Sequence, residues 1–492
     1  MSVVAAVFAG RIQAQEPPPS PTAPDPADLA SEPGQEGRPP VQEEAVGPSE
    51  EAVPISLAAA VSQALQANFD LLAAADDVRS ARLGYSAERA EFFPKVTPQL
   101  DRFGDETSWG VEVGQFLPWT GGSLLGGAAL RSRPEDEAPL ARSSVLAVEL
   151  RQPLLRGFGP NATFFRLRNS RRGRQGRERA LERERQRITV EVARAFYQVI
   201  EQRALLAVAR QSLRRSQSLQ RASEARLAVG LVSKLDVFRA QLQAAQAQES
   251  MVRSQASLED AVERFRFLLG RPPGDRVEPE AVSLPEDLPD ALEPLEVLVR
   301  RALDNRVDLH ETRDVVDDAR RFASLARQNL LPQLDLRLGL AGTGFGPSYG
   351  QAWRAADRQL TFGFATSLPL ERAADRAARA TAQIQVESRA RALRQRELEI
   401  ESEVRRAMRD LTQIRKSVEL QRTALDVAEQ QHRLATLRYQ RGLASNFDVV
   451  EAEESLVLAR SALVGLLTRY QVERIDLLRT LGTLDVEQEF AR

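Results

Sequence analysis

Few side chains in this 492-residue chain could carry covalent chemistry. Cys is absent, which removes thiol nucleophiles, disulfides and a lipidated anchor on the mature N-terminus. The two His, His310 and His432, have no Cys or His at metal-ligand spacing. No Gly-rich phosphate loop follows a strand-like segment. Carboxylates are spread along helical stretches without an acid–base signature. Ten Arg between Arg166 and Arg187 are interleaved with Glu178, Glu182 and Glu184, the pattern of a solvated helical face rather than a nucleic-acid patch. A net charge of −2 supplies no basic field either. No catalytic residue, cofactor, metal site or nucleic-acid partner is expected. The acids that stand out are Asp236 and Asp448. Each follows a Ser by three residues (Ser233, Ser445), as in a capping box that opens a helix. Glu451 follows Asp448 within one turn, so that helix starts with two carboxylates at its positive end.

Asp236 and Asp448 sit in a phrase that occurs twice. Arg226-Leu-Ala-Val229-Gly230-Leu231-Val-Ser233-Lys-Leu-Asp236-Val237 returns as Arg438-Tyr439-Gln-Arg-Gly442-Leu443-Ala-Ser445-Asn-Phe-Asp448-Val449, 212 residues later. In each copy a Gly stops one helical pattern and the Ser opens the next, so each is the tip of a helical hairpin. A second shared phrase precedes each hairpin: Leu57 to Leu65, leading to Asp70-Leu71, and Leu295 to Leu303, leading to Asp308-Leu309. The chain is therefore an internal duplication. The offset is 238 up to Pro94 and Pro332, 216 at Pro153 and Pro369, and 212 at the tips. About 22 extra residues thus fall between the two prolines of the first copy. About four more are expected in its long helix, as a one-turn stutter.

The expected order is a signal peptide at 1–15, with an apolar run from Val3 to Ala9, and a disordered Pro-rich acidic leader at 16–54. Repeat one spans 55–270, with strands at about 95–152 and a tip near 230. A connector at 271–293 follows. Repeat two spans 294–482, with strands at about 332–370 and a tip near 442, and the tail is 483–492. Heptad seams mark the helices: Val449, Ala452, Leu456, Ala459, Leu463, Leu466 and Tyr470 in the last, and Leu411, Ile414, Val418, Leu425, Ala428, Ala435 and Tyr439 before the second tip. The long helix of repeat one, about Thr163 to Val229, should reach roughly 100 Å at 1.5 Å per residue.

Between the helices the period changes to two. Leu334, Leu336, Leu338 and Leu340 share a face, as do Leu360, Phe362 and Phe364, and Leu146, Val148 and Leu150. This is the pattern of membrane β-strands, apolar toward lipid and polar inward. All three Trp (Trp109, Trp119, Trp353) fall in these regions, as an interfacial belt would require. The extra segment 109–131 offers a further hairpin around Pro118 and Gly121-Gly122. Gly339 to Gly350 is expected to be a flexible loop. No window of about 18 apolar residues exists, so a membrane span must be a closed barrel. Four strands, or six, are too few to close one, so several chains must share it. The alternative is a soluble periplasmic coiled-coil scaffold or adaptor. An adaptor usually offers one hairpin with a lipoyl-like insert, against two hairpins and amphipathic strands here.

The twin Gly-Leu tips with Ser and Asp-Val, the duplicated helix–strand–helix halves and the strand exit Gln152-Pro153-Leu154-Leu155 resemble the TolC family of outer-membrane efflux proteins, over about residues 55 to 482. The resemblance implies a fold that is mainly α with membrane β. Coiled-coil hairpins would form a periplasmic tunnel, and about four strands per chain would enter a trimeric twelve-stranded barrel in outer-membrane lipid. It implies a homotrimer that works with a periplasmic adaptor (a membrane fusion protein) and an inner-membrane transporter, in a Gram-negative-type cell. No enzymatic activity is implied. Val229-Gly230-Leu231 matches the family's docking motif, and the second tip keeps Gly442-Leu443. Asp448 and Glu451 occupy the aperture positions, Glu451 where the pattern has Asp. Asp236 and Tyr439 occupy one closed-state latch, while a second latch is lost to Ala444 and Leu235. Three copies of Asp448 and Glu451 around an axis would attract cations, and crowding would raise their pKa values.

Overall fold

The computed structural model describes residues 53–484, apart from 105, 136–137, 281 and 283–292. The signal peptide, the leader up to residue 52, most of the connector's second half and the tail from 485 lie outside the described residues. Val53 and Pro54, placed with the leader, instead belong to a short strand, β1 (Val53–Ile55).

Each repeat opens with a kinked helix pair. In the first, α1 (Leu57–Ala67) meets α2 (Phe69–Ala90) at Asn68. The Asn68 side chain accepts the Asp70 and Leu71 N–H groups, and its amide donates to the Leu268 carbonyl (3.1 Å). Four strands follow: β2 (Lys95–Phe103), β3 (Glu106–Phe116), β4 (Ser123–Glu135) and β5 (Ala138–Pro153). A single-turn helix, α3 (Pro160–Thr163), leads into α4 (Phe165–Ala228), whose 64 residues extend about 96 Å at 1.5 Å per residue. Across the first tip, α5 (Lys234–Leu268) returns, and β6 (Val277–Pro279) pairs in parallel with β1.

The second repeat runs α6 (Leu295–Asn305), α7 (Val307–Gln328), β7 (Gln333–Gly346), a short α8 (Tyr349–Arg354), β8 (Asp357–Ser367), α9 (Ala373–Gln440) and α10 (Asn446–Thr480). Matched elements have matched lengths: 11 residues in α1 and α6, 22 in α2 and α7, 35 in α5 and α10. The expected stutter is not in the long helix, because α4 has 64 residues and α9 has 68. The additional residues of repeat one lie ahead of α4, in α3 and the turns beside it, where Gly157 and Gly159 take positive φ.

Six strands form one antiparallel sheet in the order β2-β3-β4-β5-β7-β8. That exceeds the four the resemblance implies by two strands, in line with the 22-residue excess of repeat one between its two prolines. The hairpin expected over 109–131 is present as β3–β4. The β3–β4 turn falls at Pro118 to Gly122, as the sequence suggests. The two repeats join at β5–β7, where Leu150 faces Leu338 and Val148 faces Leu340. Arg151 donates to the buried Asp335 carboxylate through Nε (2.9 Å) and Nη2 (2.6 Å) across the same pair. On the next pair Leu336, Leu338 and Leu340 face Phe364, Phe362 and Leu360. The stretch Gly339 to Gly346, expected as a loop, is strand. Its glycines serve close packing: a Cβ on Gly344 would lie 1.8 Å from the Ala352 carbonyl oxygen, because α8 folds down on it.

The helices carry the core. Phe196 and Phe265 are buried with Ile188, Val192 and Val199 beneath α1. Ile400, Val404 and Leu411 of α9 are buried with Leu298, Leu309 and Leu481 in the second repeat. Each fully buried large apolar side chain contributes about 1.5–3 kcal/mol. No described helix is long and apolar enough to cross a membrane.

Candidate functional site

The two hairpin tips have one geometry. The Gly230 N–H donates to the Leu227 carbonyl (2.9 Å) and the Leu231 N–H to that of Arg226 (2.9 Å). Gly442 and Leu443 repeat this on Tyr439 (3.0 Å) and Arg438 (2.8 Å). This double closure needs a left-handed residue, and Gly230 (φ +75°) and Gly442 (φ +72°) supply it. The turn throws the next side chain outward, so Leu231 is 74% exposed and Leu443 66%. Val229, Phe238 and Phe447 are exposed beside them.

Both capping boxes form. The Asp236 carboxylate accepts from Ser233 N (3.1 Å) and Oγ (2.7 Å), and the Asp448 carboxylate from Ser445 N (2.6 Å) and Oγ (2.8 Å). The Ser445 hydroxyl and N–H hold the Asp448 carboxyl below its ordinary pKa, with Arg438 adding to the effect. Asp448 and Glu451 both lie on the exposed face of α10. Within one protomer, then, the local bonds oppose the rise in pKa that crowding would cause.

Asp236 and Tyr439 do not meet here. Asp236 is engaged in its own cap. The buried Tyr439 hydroxyl pairs with the Ser223 hydroxyl of α4 (3.0 Å). The Arg226 guanidinium lies 4.3 Å from the centre of the Tyr439 ring, and it donates to the Tyr439 (2.8 Å) and Gln440 (3.0 Å) carbonyls at the end of α9. Asn446 closes the link from the other side, donating to the Asp236 carbonyl (2.7 Å). The two tips are thus tied within one chain by groups that sequence reasoning does not single out. Arg226 had a signal, being one of the identities in the repeated phrase; Ser223 and Asn446 had none.

One turn further along α10, Glu453 is buried between helices. It accepts from Arg215 (3.1 and 3.3 Å) and lies 3.0 Å from His432 Nε2. Burial alone would raise its pKa, but His432 and Arg215 outweigh it and hold the carboxyl low. These side chains and Tyr439 line a cleft of about 470 Å³ between α4, α9 and α10. His432 therefore packs against a buried carboxylate. Among the described residues no group of three His, Asp or Glu could hold a metal ion.

The family model for outer membrane efflux proteins matches residues 60–271 and 298–483. Among solved structures, CusC superposes with a TM-score of 0.64 at 21% identity, covering 88% of this chain and 93% of that one. The outer membrane protein VceC from Vibrio cholerae gives 0.67 at 18% identity, covering 87% and 96%. Identities this low speak for the fold alone. The fusaric acid resistance protein FusA of Burkholderia cepacia is 28% identical over 187 residues, 37% of this chain and 34% of that protein, so the match spans about a third of that relative's length.

Proposed function

This chain belongs to the outer membrane efflux protein family, and from that premise we propose that it is the exit duct of an export assembly. Its sheet stands in the outer membrane and its helices extend into the periplasm. It carries no catalytic step. The observation that carries the reading is the six-stranded sheet, whose outer strands expose large apolar side chains on one face, among them Val96 and Leu100 of β2 and Leu360, Phe362 and Phe364 of β8, with Leu100 at 76% and Leu360 at 80%. A soluble scaffold or adaptor has no use for such a face, and lipid accepts it.

Three copies surround one axis, as the resemblance implies. The apolar crowns at Val229-Gly230-Leu231 and Gly442-Leu443 are docking points for the periplasmic adaptor, which links the duct to an inner-membrane transporter. Asp448 and Glu451 ring the aperture, and the Ser445 bonds keep Asp448 ionised against its neighbours' charge. Asp236 and Tyr439 stand beside the same aperture. Opening moves the hairpins as tied pairs, because Arg226, Ser223 and Asn446 hold the two tips of one protomer together. The name of the FusA relative favours small organic molecules as cargo.

In planar bilayers the purified protein should conduct cations in preference to anions. Asp448→Ala with Glu451→Ala should bring the permeability ratio close to one. Unchanged selectivity would remove both residues from the gate.

A further inference from the structure

We propose that all six strands of this chain stand in the membrane wall, and that three copies close an eighteen-stranded barrel by pairing β8 of one protomer with β2 of the next. The trimer is taken from the reading above. The strand number is read from this sheet, which has six strands in each of three copies.

The alternating pattern does not stop at the four inner strands. The register puts Val96, Pro98 and Leu100 of β2 opposite Val113, Val111 and Trp109 of β3. That row continues onto β4, where Val111 faces Ala128 and Trp109 faces Leu130, and from there across β5, β7 and β8. On the opposite face of β2 and β3 stand Thr97, Gln99, Asp101, Ser108 and Glu112. The β2–β3 hairpin thus has a lipid face and a water face in phase with the rest. It is also long enough: β2 has 9 residues and β3 has 11, against the roughly 9–11 that a tilted spanning strand needs.

Aromatic groups bound the sheet at both ends. Phe92, Phe116, Trp119 and Phe164 pack together where strands meet helices, and Trp109 meets Tyr349 edge-on near the far end (6.0 Å).

The sheet has two free edges, β2 and β8. In lipid each unpaired backbone group costs several kcal/mol, so both edges need partners. β2 runs away from the helices and β8 (11 residues) runs back toward them, so neighbouring copies meet antiparallel, as every pair inside the sheet does. An even number of strands per chain preserves that alternation around the ring. Barrel diameter grows about linearly with strand number, so this wall is about half as wide again as a twelve-stranded one. The tip aperture, not the barrel, then sets the size limit for cargo.

The Cys-free chain allows a direct test. One Cys replaces Val96, Pro98 or Leu100, and a second replaces Leu360, Phe362 or Phe364, giving nine full-length double variants that share the lipid face. Mild oxidation of membranes should produce disulfide-linked dimers and trimers in a subset of these, and none in the single variants. Val111→Cys should resist a water-soluble maleimide until the membrane is dissolved. Mass measurement in detergent separates the possible failures. Trimers with no β2–β8 link in any variant and a freely labelled Val111→Cys would leave the hairpin outside a narrower wall and overturn the proposal. Absence of trimers would instead overturn the exit-duct reading on which it rests.

Discussion

Ser223 is fully buried in α4, and its hydroxyl pairs with that of Tyr439 in α9 (3.0 Å). A buried hydroxyl stripped of its partner costs about 1–3 kcal/mol, whereas removing both partners together can be nearly neutral. Tyr439→Phe should therefore lower the thermal midpoint of the helical signal and raise leak conductance. Adding Ser223→Ala should recover most of the stability, since the Arg226 stacking on the ring survives both changes. Additive losses from the two variants would show that the hydroxyls act separately. Local bonds are the legible part of the site. Ser233–Asp236 and Ser445–Asp448 are read from a spacing of three, and both caps form. Ser223 and Tyr439 lie 216 residues apart, Arg215 and Glu453 238 apart. No periodicity brings such partners together; only the packing of α4 against α9 and α10 does.

Helix ends show how duplication constrains the elements. Gly270 and Gly482 end α5 and α10 with the same turn as the tips, both at φ +69°. They differ from the tip glycines in what surrounds them. A Cβ on Gly270 would lie 2.6 Å from the Ala67 carbonyl oxygen, and one on Gly482 would lie 3.0 Å from the Asn305 carbonyl carbon. A Cβ on Gly230 or Gly442 would meet nothing within 4 Å. Gly230→Ala and Gly442→Ala should thus cost only the left-handed backbone, about 1–2 kcal/mol. Gly270→Ala and Gly482→Ala should cost more, because the α1–α2 and α6–α7 kinks must also move. Equal shifts in thermal midpoint would mean that backbone conformation alone sets the cost. Long helices and their seams are legible because they repeat one signal many times: Val449, Ala452, Leu456 and Ala459 are all buried. The glycine-rich end of β7 is not, since its signal for a loop is the same as its signal for a helix packed close. Nor does the 212-residue offset reveal that repeat one carries its additional residues ahead of α4 while α4 itself is the shorter helix.

At the scale of the whole molecule, the two parts have different solvents. The helical part buries its large apolar groups in two cores and pairs its charges across helices, as Asp308 shows. Burial would raise the Asp308 carboxyl, but Arg306 and Arg396 hold it at about 2. The sheet has no such interior: Phe362 and Phe364 are exposed on a surface that nothing in the protomer covers. Water cannot solvate that face favourably, and packing cannot hide it in a single layer. The duct should therefore stay with the membrane pellet through high salt and alkaline carbonate, and should leave it only with detergent. Circular dichroism of the extracted trimer should show strand signal beside dominant helix. On removal of detergent the trimer should aggregate through its sheet while the helical signal persists, because the two cores do not depend on lipid. Release by carbonate as a stable monomer would mean that the apolar face is satisfied elsewhere, and the membrane assignment of the sheet would fail with it.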